Sequence, residues 1–322
     1  ALACFDRALP VDAPLLRRGN AALKGPPVPR RFLSLLAGPD GAPFRDGSGR
    51  LEMARAIVAP DNPLTARVWA NRVWGHLFGA GLVDTPSDFG TRAAPPTHPE
   101  LLDWLAEALV HDGWSTKGLV RRILLSETFR QTGTVPADAP GHQIDPAARL
   151  LWRAAPRRLS VEQFRDTWLS LSGELRLDPT GRPADPFAAA GPHHRTIHCL
   201  VDRQYLSAPL RVFDMANPDL HTPSRPETTV PQQALFALNH PFVAARARAL
   251  AARVFCTDGP PAEALDDLWQ LVLQRPATAD ERAAATAFLE AGHAAGQAEG
   301  QLRPEEQLVQ ALLLSNEVMF VD

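Results

Sequence analysis

The chain is expected to be mainly α: a multi-helix globular domain with long irregular loops and at most a minor β element. Three observations carry that expectation. Apolar residues recur at three- and four-residue spacing through 62–130 and again through 229–319. Helix-start signals precede several of these runs, among them Ser115, the box Ser160-Val161-Glu162-Gln163 and the box Thr278-Ala279-Asp280-Glu281. The 31 prolines and 21 glycines fall largely between the runs, where they interrupt regular structure.

Residues 1–50 read as an extended N-terminal arm, rich in Pro, Gly and Arg, with one apolar run at Phe32-Leu33-Ser34-Leu35-Leu36. A first helical unit is expected over 51–135. It opens with a short helix over 51–58, which Pro60 ends. The next helix has Asp61 or Asn62 as cap and Pro63 at its first position; Gly79 and Gly81 close it. Thr97 or His98 caps a second helix that stops at Gly113, and Ser115 caps a third. Residues 136–228 are expected to hold the helix from Ser160 to about Leu171, then a long irregular polar loop. Within it, 194–201 alternates enough to be the best strand candidate, and prolines at 209, 218, 223 and 226 leave no regular element over 205–228. A second helical unit spans 229–322. Thr229 caps its first helix, Asn239-His240-Pro241 breaks it, and further helices cover roughly 261–274, 279–293 and 305–319. Residues 51–322 would form one compact domain.

The two helical units echo each other. Leu119-Val120-Arg121-Arg122-Ile123-Leu124-Leu125-Ser126-Glu127 resembles Leu308-Val309-Gln310-Ala311-Leu312-Leu313-Leu314-Ser315-Asn316, and each run follows a capped helix. Either a two-helix unit is duplicated, or two leucine-rich amphipathic helices match by composition.

Composition excludes several functions. With 33 basic and 36 acidic residues the net charge is −3, which argues against a phosphate-led nucleic-acid binder. Positive charge is almost all arginine, because lysine occurs only at Lys24 and Lys117. Cys4, Cys199 and Cys256 give no disulfide framework, zinc pattern or haem attachment motif, so no cofactor is expected in this chain. No apolar run approaches the ~18 residues of a membrane span. The N-terminus has neither an initiator methionine nor a signal-peptide pattern and reads as part of something longer.

Candidate site residues fall in three places. Asn71, Arg72 and His76 lie on the first strong helix, where Arg72 and His76 share a face at i, i+4. They form a polar stripe toward a groove or another domain; alternatively, Arg72 pairs with a carboxylate such as Asp88 and His76 caps a loop. Asp202, Arg203, Asp214, Asn217, Asp219, His221, Arg225 and Glu227 form the densest polar cluster. Asp214, Asn217 and Asp219 offer oxygen ligands to calcium, and Asp214, Asp219 and His221 suit a transition metal. Arg203 and Arg225 can instead clamp an anion. The competing reading is that such a loop needs these side chains to satisfy its own backbone. Gln232 and Gln233 sit at a helix N-terminus, an anion site in principle, although Gln232 also completes a T-x-x-Q capping box. Arg153, Arg157, Arg158, Glu162, Arg165 and Asp166 read as a solvated or salt-bridged face, with a basic sugar pocket as the alternative. His193, His194 and His198 form a small histidine group, with two on one strand face. Trp69, Trp74, Trp104 and Trp152 read as core, and Trp114 as a lesser candidate for sugar stacking.

Several long motifs resemble one family. They are NPLTARVWANRVWGHLFGAGLVDTPSDFG from Asn62, PPTHPELLDWLAEALVHDGWSTKGLVRRILLSETFRQTG from Pro95, Arg17-Arg18-Gly19-Asn20, Val28-Pro29-Arg30-Arg31-Phe32 and Ser48-Gly49-Arg50-Leu51-Glu52. Others are Asp202-Arg203-Gln204, Val212-Phe213-Asp214, Pro218-Asp219 and Thr228-Thr229-Val230-Pro231-Gln232-Gln233-Ala234-Leu235. This pattern is similar to the planctomycete-specific domain of unknown function that forms the C-terminal part of planctomycete cytochrome-c-type secreted proteins. The resemblance implies an exported bacterial protein, periplasmic or extracellular, whose signal peptide and any haem lie in upstream domains. It supplies no reaction. Two functions follow as expectations. The favoured one is an interaction or scaffold module docking other domains of the full-length protein or a partner. The alternative is an enzyme or binding domain for extracellular anionic polysaccharide, with its site in the 202–233 loop.

Overall fold

Helices form where apolar stripes follow good start signals, and short irregular segments join them. The computed structural model describes residues 3, 5–38, 41–178, 181–188, 191–255, 261–296 and 300–321. The fold is mainly α with minor β, as the sequence predicts. It divides into two compact units: residues 1–131 with 138–152, and residues 132–137 with 153–322. Of the cysteines, Cys199 is free and buried, and Cys4 and Cys256 lie outside the described residues.

The first unit begins with an antiparallel pair, β1 (Pro14–Leu16) and β2 (Lys24–Pro27). Two short helices follow, α1 (Ser34–Ala37) and α2 (Arg50–Ile57), and neither has a buried residue. Its core is made by α3 (Thr65–Phe78), α4 (Pro99–His111) and α5 (Thr116–Leu124). Ala70, Val73 and Trp74 of α3 pack with Leu102, Leu105 and Leu109 of α4 and with Leu119 and Ile123 of α5. Each set keeps helical spacing, so each helix turns one stripe inward. Ser115 caps α5 as expected, its hydroxyl accepting from the Gly118 amide at 3.1 Å. α3 starts two residues later than Pro63 predicts: the Asn62 carboxamide accepts from the Leu64 amide and donates to the Ile57 carbonyl, holding a turn before the helix. Trp69 and Trp104 are corrections to the expected core. Both are exposed, Trp69 donating to the Thr116 hydroxyl and Trp104 lying beneath the Arg122 guanidinium.

Asn71 is the buried brace of this unit. Its carboxamide donates to the Val83 carbonyl at 3.1 Å and accepts from the Val83 amide at 2.8 Å. Gly81 allows this, because a β-carbon there would stand 2.7 Å from the Asn71 nitrogen. The returning segment carries α6 (Gly141–Ile144), and Arg149 donates to the Gly81 carbonyl at 2.9 Å and pairs with Asp84.

The second unit is built around α7 (Val161–Leu171), α8 (Ala208–Val212), α9 (Pro231–Asn239), α10 (Pro241–Val254), α11 (Pro261–Leu273), α12 (Ala279–Ala295) and α13 (Pro304–Leu313). Both capping boxes form, at Ser160 and Thr278. α10 is central: Val243, Ala247, Leu250 and Ala251 are fully buried, and their small size at 247 and 251 admits close neighbours. A short α14 (Asn316–Met319) leads into β4 (Phe320–Val321), which pairs antiparallel with β3 (Arg157–Arg158).

Three expectations are corrected here. The strand over 194–201 does not form; Thr196–His198 is a 3-10 turn, with a single bridge from His194 to Arg176. His194 and His198 therefore share no strand face. Residues 205–228 do hold one regular element, α8, because Pro209 sits in its first turn, where a missing amide costs nothing. The helix expected at Thr229 starts at Pro231: the residue before a proline is driven extended, and Val230 (φ −124°, ψ 146°) becomes the cap residue with no side-chain bond.

The brace at Asn71 yields an expected outcome. Asn71→Ala leaves the Val83 amide and carbonyl buried and unpaired, at a cost of about 3 kcal/mol in unfolding free energy. Denaturant unfolding checks it; an unchanged midpoint would show that the brace is dispensable.

Candidate functional site

α7 supports the polar part of the second unit. Its buried positions, Val161, Phe164, Arg165, Trp168 and Leu169, run i, i+3, i+4, i+7, i+8, so Arg165 occupies a place in the apolar stripe. Of the expected solvated or salt-bridged face, this residue is not solvated: its side chain is 0% exposed and pairs with Asp166 at 3.5 Å. The guanidinium donates from Nε to the Pro186 carbonyl at 2.9 Å, from Nη1 to the His194 carbonyl at 2.8 Å, and from Nη2 to the Pro192 carbonyl. Nη1 also meets the Thr196 hydroxyl at 3.2 Å, and the Phe242 ring lies 5.4 Å away. Burial pulls the Arg165 pKa down, opposed by nearby negative groups. Next to it, Asp166 accepts from the Thr196 amide at 2.8 Å and hydroxyl at 2.7 Å.

A second buried guanidinium lies on α10. Arg246 Nε stands 2.8 Å from Glu174 Oε2, Nη1 stands 3.3 Å from His193 Nε2, and Phe242 lies 5.0 Å away. Burial lowers the His193 pKa, and the Arg246 charge adds to that. A neutral ring, accepting at Nε2, fits this geometry. His240 caps α10 by accepting from the Phe242 amide at 3.2 Å and stacks on Phe236; burial lowers its pKa too. The Cys199 thiol is raised by burial, with Arg165 opposing.

The 202–233 loop uses its polar side chains internally. Asp202 accepts from the Gln204 and Tyr205 amides at 2.8 and 3.3 Å. Arg203 pairs with Asp219 at 3.0 Å, and the Asp219 amide donates to Asn217 Oδ1 at 3.0 Å. Asp214, at φ 60°, accepts from the Thr228 amide and hydroxyl, each at 2.8 Å. Arg225 reaches back to Glu162 of α7 at 2.8 Å. Both arginines expected to clamp an anion thus hold carboxylates of this chain.

Gln233 completes the set. It is buried, donates to the Val212 and Thr228 carbonyls at 2.9 and 3.1 Å, and accepts from Arg158 at 2.8 Å. Arg158 also donates to the Thr228 carbonyl at 2.6 Å. Asp214, Thr228, Gln233 and Arg158 are thereby brought together, whereas Asp219 bonds elsewhere. Gln232 and His221 are exposed, and the expected Thr229–Gln232 box is absent because α9 starts after Val230. Among the described residues, no group of three or more His, Cys, Asp or Glu is arranged to hold a metal ion.

Asn71, Arg72 and His76 lie in the first unit. Asn71 is the buried brace, Arg72 is part-buried and His76 exposed. The suggested Arg72 pair with Asp88 does not form; the Asp88 carboxylate accepts from the Gly90 amide at 2.9 Å. Sequence reasoning missed the buried roles of Arg165 and Arg246. The signal was present: each stands at a position of its helix where the spacing calls for an apolar side chain. Among the described residues, no helix is long and apolar enough to cross a membrane.

The two lowered imidazoles set a pH dependence. Folded His193 and His240 resist protonation, whereas unfolded imidazoles take protons near 6.5. Their contribution is therefore intact above that value and shrinks as pH falls below it. Denaturation midpoints are expected to drop from pH 7.5 to pH 5, above the range in which carboxylates titrate. His240→Asn keeps a cap acceptor without the titration, so its slope over that range should be shallower; an identical slope would contradict the assignment.

Searches among curated proteins and among solved structures return no match to this chain. A family profile does match, over residues 49–289, three quarters of the chain. The chain belongs to PSD1, a family of proteins of unknown function (DUF1553).

Proposed function

We propose that the chain is a helical interaction module of an exported bacterial multidomain protein, docking other domains of that protein or a partner. One observation carries this reading. Residues 33–58 expose Leu33, Leu35, Leu51, Met53, Ile57 and Val58, with Leu35 91% exposed. An eight-residue helix such as α2 is marginal in water without tertiary cover. Exposed apolar side chains in such number mark contact surfaces. The likeness of the motifs to a planctomycete-specific domain of secreted cytochrome-c-type proteins supports the exported setting, with haem in a separate domain.

Hydrogen exchange tests the reading. Amides of 50–58 should exchange rapidly in the chain alone and be protected at least tenfold in the full-length protein. Equal exchange in both would end it.

A second reading is favoured by Arg203 and Tyr205, which lie close in sequence on the loop and are both largely exposed. An exposed guanidinium, shared with Asp219, and an exposed aromatic ring on one loop are groups that suit an extracellular anionic polysaccharide. Arg203→Ala with Tyr205→Ala should weaken binding to a uronic-acid polysaccharide in affinity electrophoresis; unaltered migration would remove this reading.

A further inference from the structure

The two echo helices share a sequence register and differ in cover. Aligning Leu119 with Leu308 sets Val120 against Val309, Arg121 against Gln310, Leu124 against Leu313, and Lys117 against Glu306. In α13 this face is closed: Val309 and Leu313 are fully buried, and Glu306 and Gln310 nearly so. Helix α10 packs along α13. Gln310 donates to the Ala237 and Leu238 carbonyls at the end of α9, at 3.1 and 2.9 Å. Glu306 faces Arg248 of α10 at 3.7 Å.

In α5 the matching face is open. Leu124 is 37% and Leu125 64% exposed. Thr116, Lys117, Val120, Arg121, Leu124 and Leu125 form a shallow, solvent-open surface along one flank of α5. The rim is more positive, since lysine stands where α13 has the acidic Glu306 and arginine where it has the neutral Gln310. Among the described residues, neither Lys117 nor Arg121 forms an ion pair.

We propose that the open face of α5 docks an acidic amphipathic helix of a partner polypeptide, seated as α10 is seated on α13. The partner presents a small apolar stripe at i, i+3/i+4, i+7 to Val120, Leu124 and Leu125, packing helix against helix. It presents a carboxylate to Lys117 where α10 presents Arg248 to Glu306, and acceptors to Arg121. A second copy of α5 is a poor occupant, because its own Lys117 and Arg121 would meet like charges. The proposal rests on the interaction-module reading and names the partner's chemistry.

The test uses the whole chain and three fluorescent synthetic helical peptides. One has an Ala/Leu stripe with glutamate flanks, one the same stripe with lysine flanks, and one glutamate flanks with a glutamine stripe. Anisotropy titration should show the first binding at least roughly tenfold tighter than the others. Lys117→Glu with Arg121→Glu, both exposed and so tolerable to the fold, should reverse the preference between glutamate and lysine flanks. Leu124→Asp should weaken the first peptide by a similar factor. Equal binding of the two charged peptides, or binding of the first that the double variant leaves intact, overturns the proposal. So does binding to phosphatidylglycerol vesicles that the first peptide does not displace. Failure of the peptides to discriminate sinks this inference alone, because the module reading is tested separately at 50–58; equal exchange of 50–58 in the chain alone and in the full-length protein sinks that reading.

Discussion

Buried guanidinium groups hold the second unit's irregular chain. Residues 181–188 and 191–200 contain prolines and turns, so their carbonyls find few partners in regular structure. Arg165 supplies donors to three of those carbonyls from one fixed, planar group on α7. Removing a charge from water is costly. The cost is offset by the number of bonds, by Asp166 at 3.5 Å and by the Phe242 face. Truncating such a residue would strand several acceptors together, so this contact outweighs any single apolar contact nearby. Arg246 shares the Phe242 ring, so the two helices α7 and α10 fix the loop from one aromatic platform.

The same economy explains the polar loop at 202–233. Its density of Asp, Asn and Arg invites a ligand-binding interpretation. Yet the bonds of Asp202, Asp214, Asn217 and Asp219 close onto the loop's own amides, hydroxyls and guanidinium groups. Such side chains act as substitutes for a hydrogen-bond ladder. The large apolar side chains that stay exposed on the loop are Tyr205 and Leu220.

Local chemistry was legible in the sequence, and tertiary choice was not. Ser115, Ser160 and Thr278 cap as read, because a cap needs only residues within one turn. The Thr229 box was misread because Pro231 decides the backbone of Val230 before any side chain competes. Alternation over 194–201 suggested a strand, but a strand needs a neighbour, and the chain there is spent on Arg165 and Asp166. Arg165 itself was misassigned because charge was weighed above position in the stripe. Trp69 and Trp104 fall within the apolar spacing of their helices and so read as core, yet each lies on the open flank. Of the candidate site, the Asp214 to Thr228 contact joins residues far apart in the chain, and no spacing rule announces it.

The pairing of β3 with β4 has a wider consequence. Arg157–Arg158 lies near the start of the second unit's long segment and Phe320–Val321 near its finish, yet they share one ladder, and the Leu159 amide donates to the Met319 carbonyl at 2.9 Å. Entrance and exit of that segment therefore emerge side by side. A body whose two ends meet can be spliced into a longer polypeptide with little displacement of what flanks it. Because Arg158 also donates to the Thr228 carbonyl and to Gln233, the same seam is tied to the polar loop.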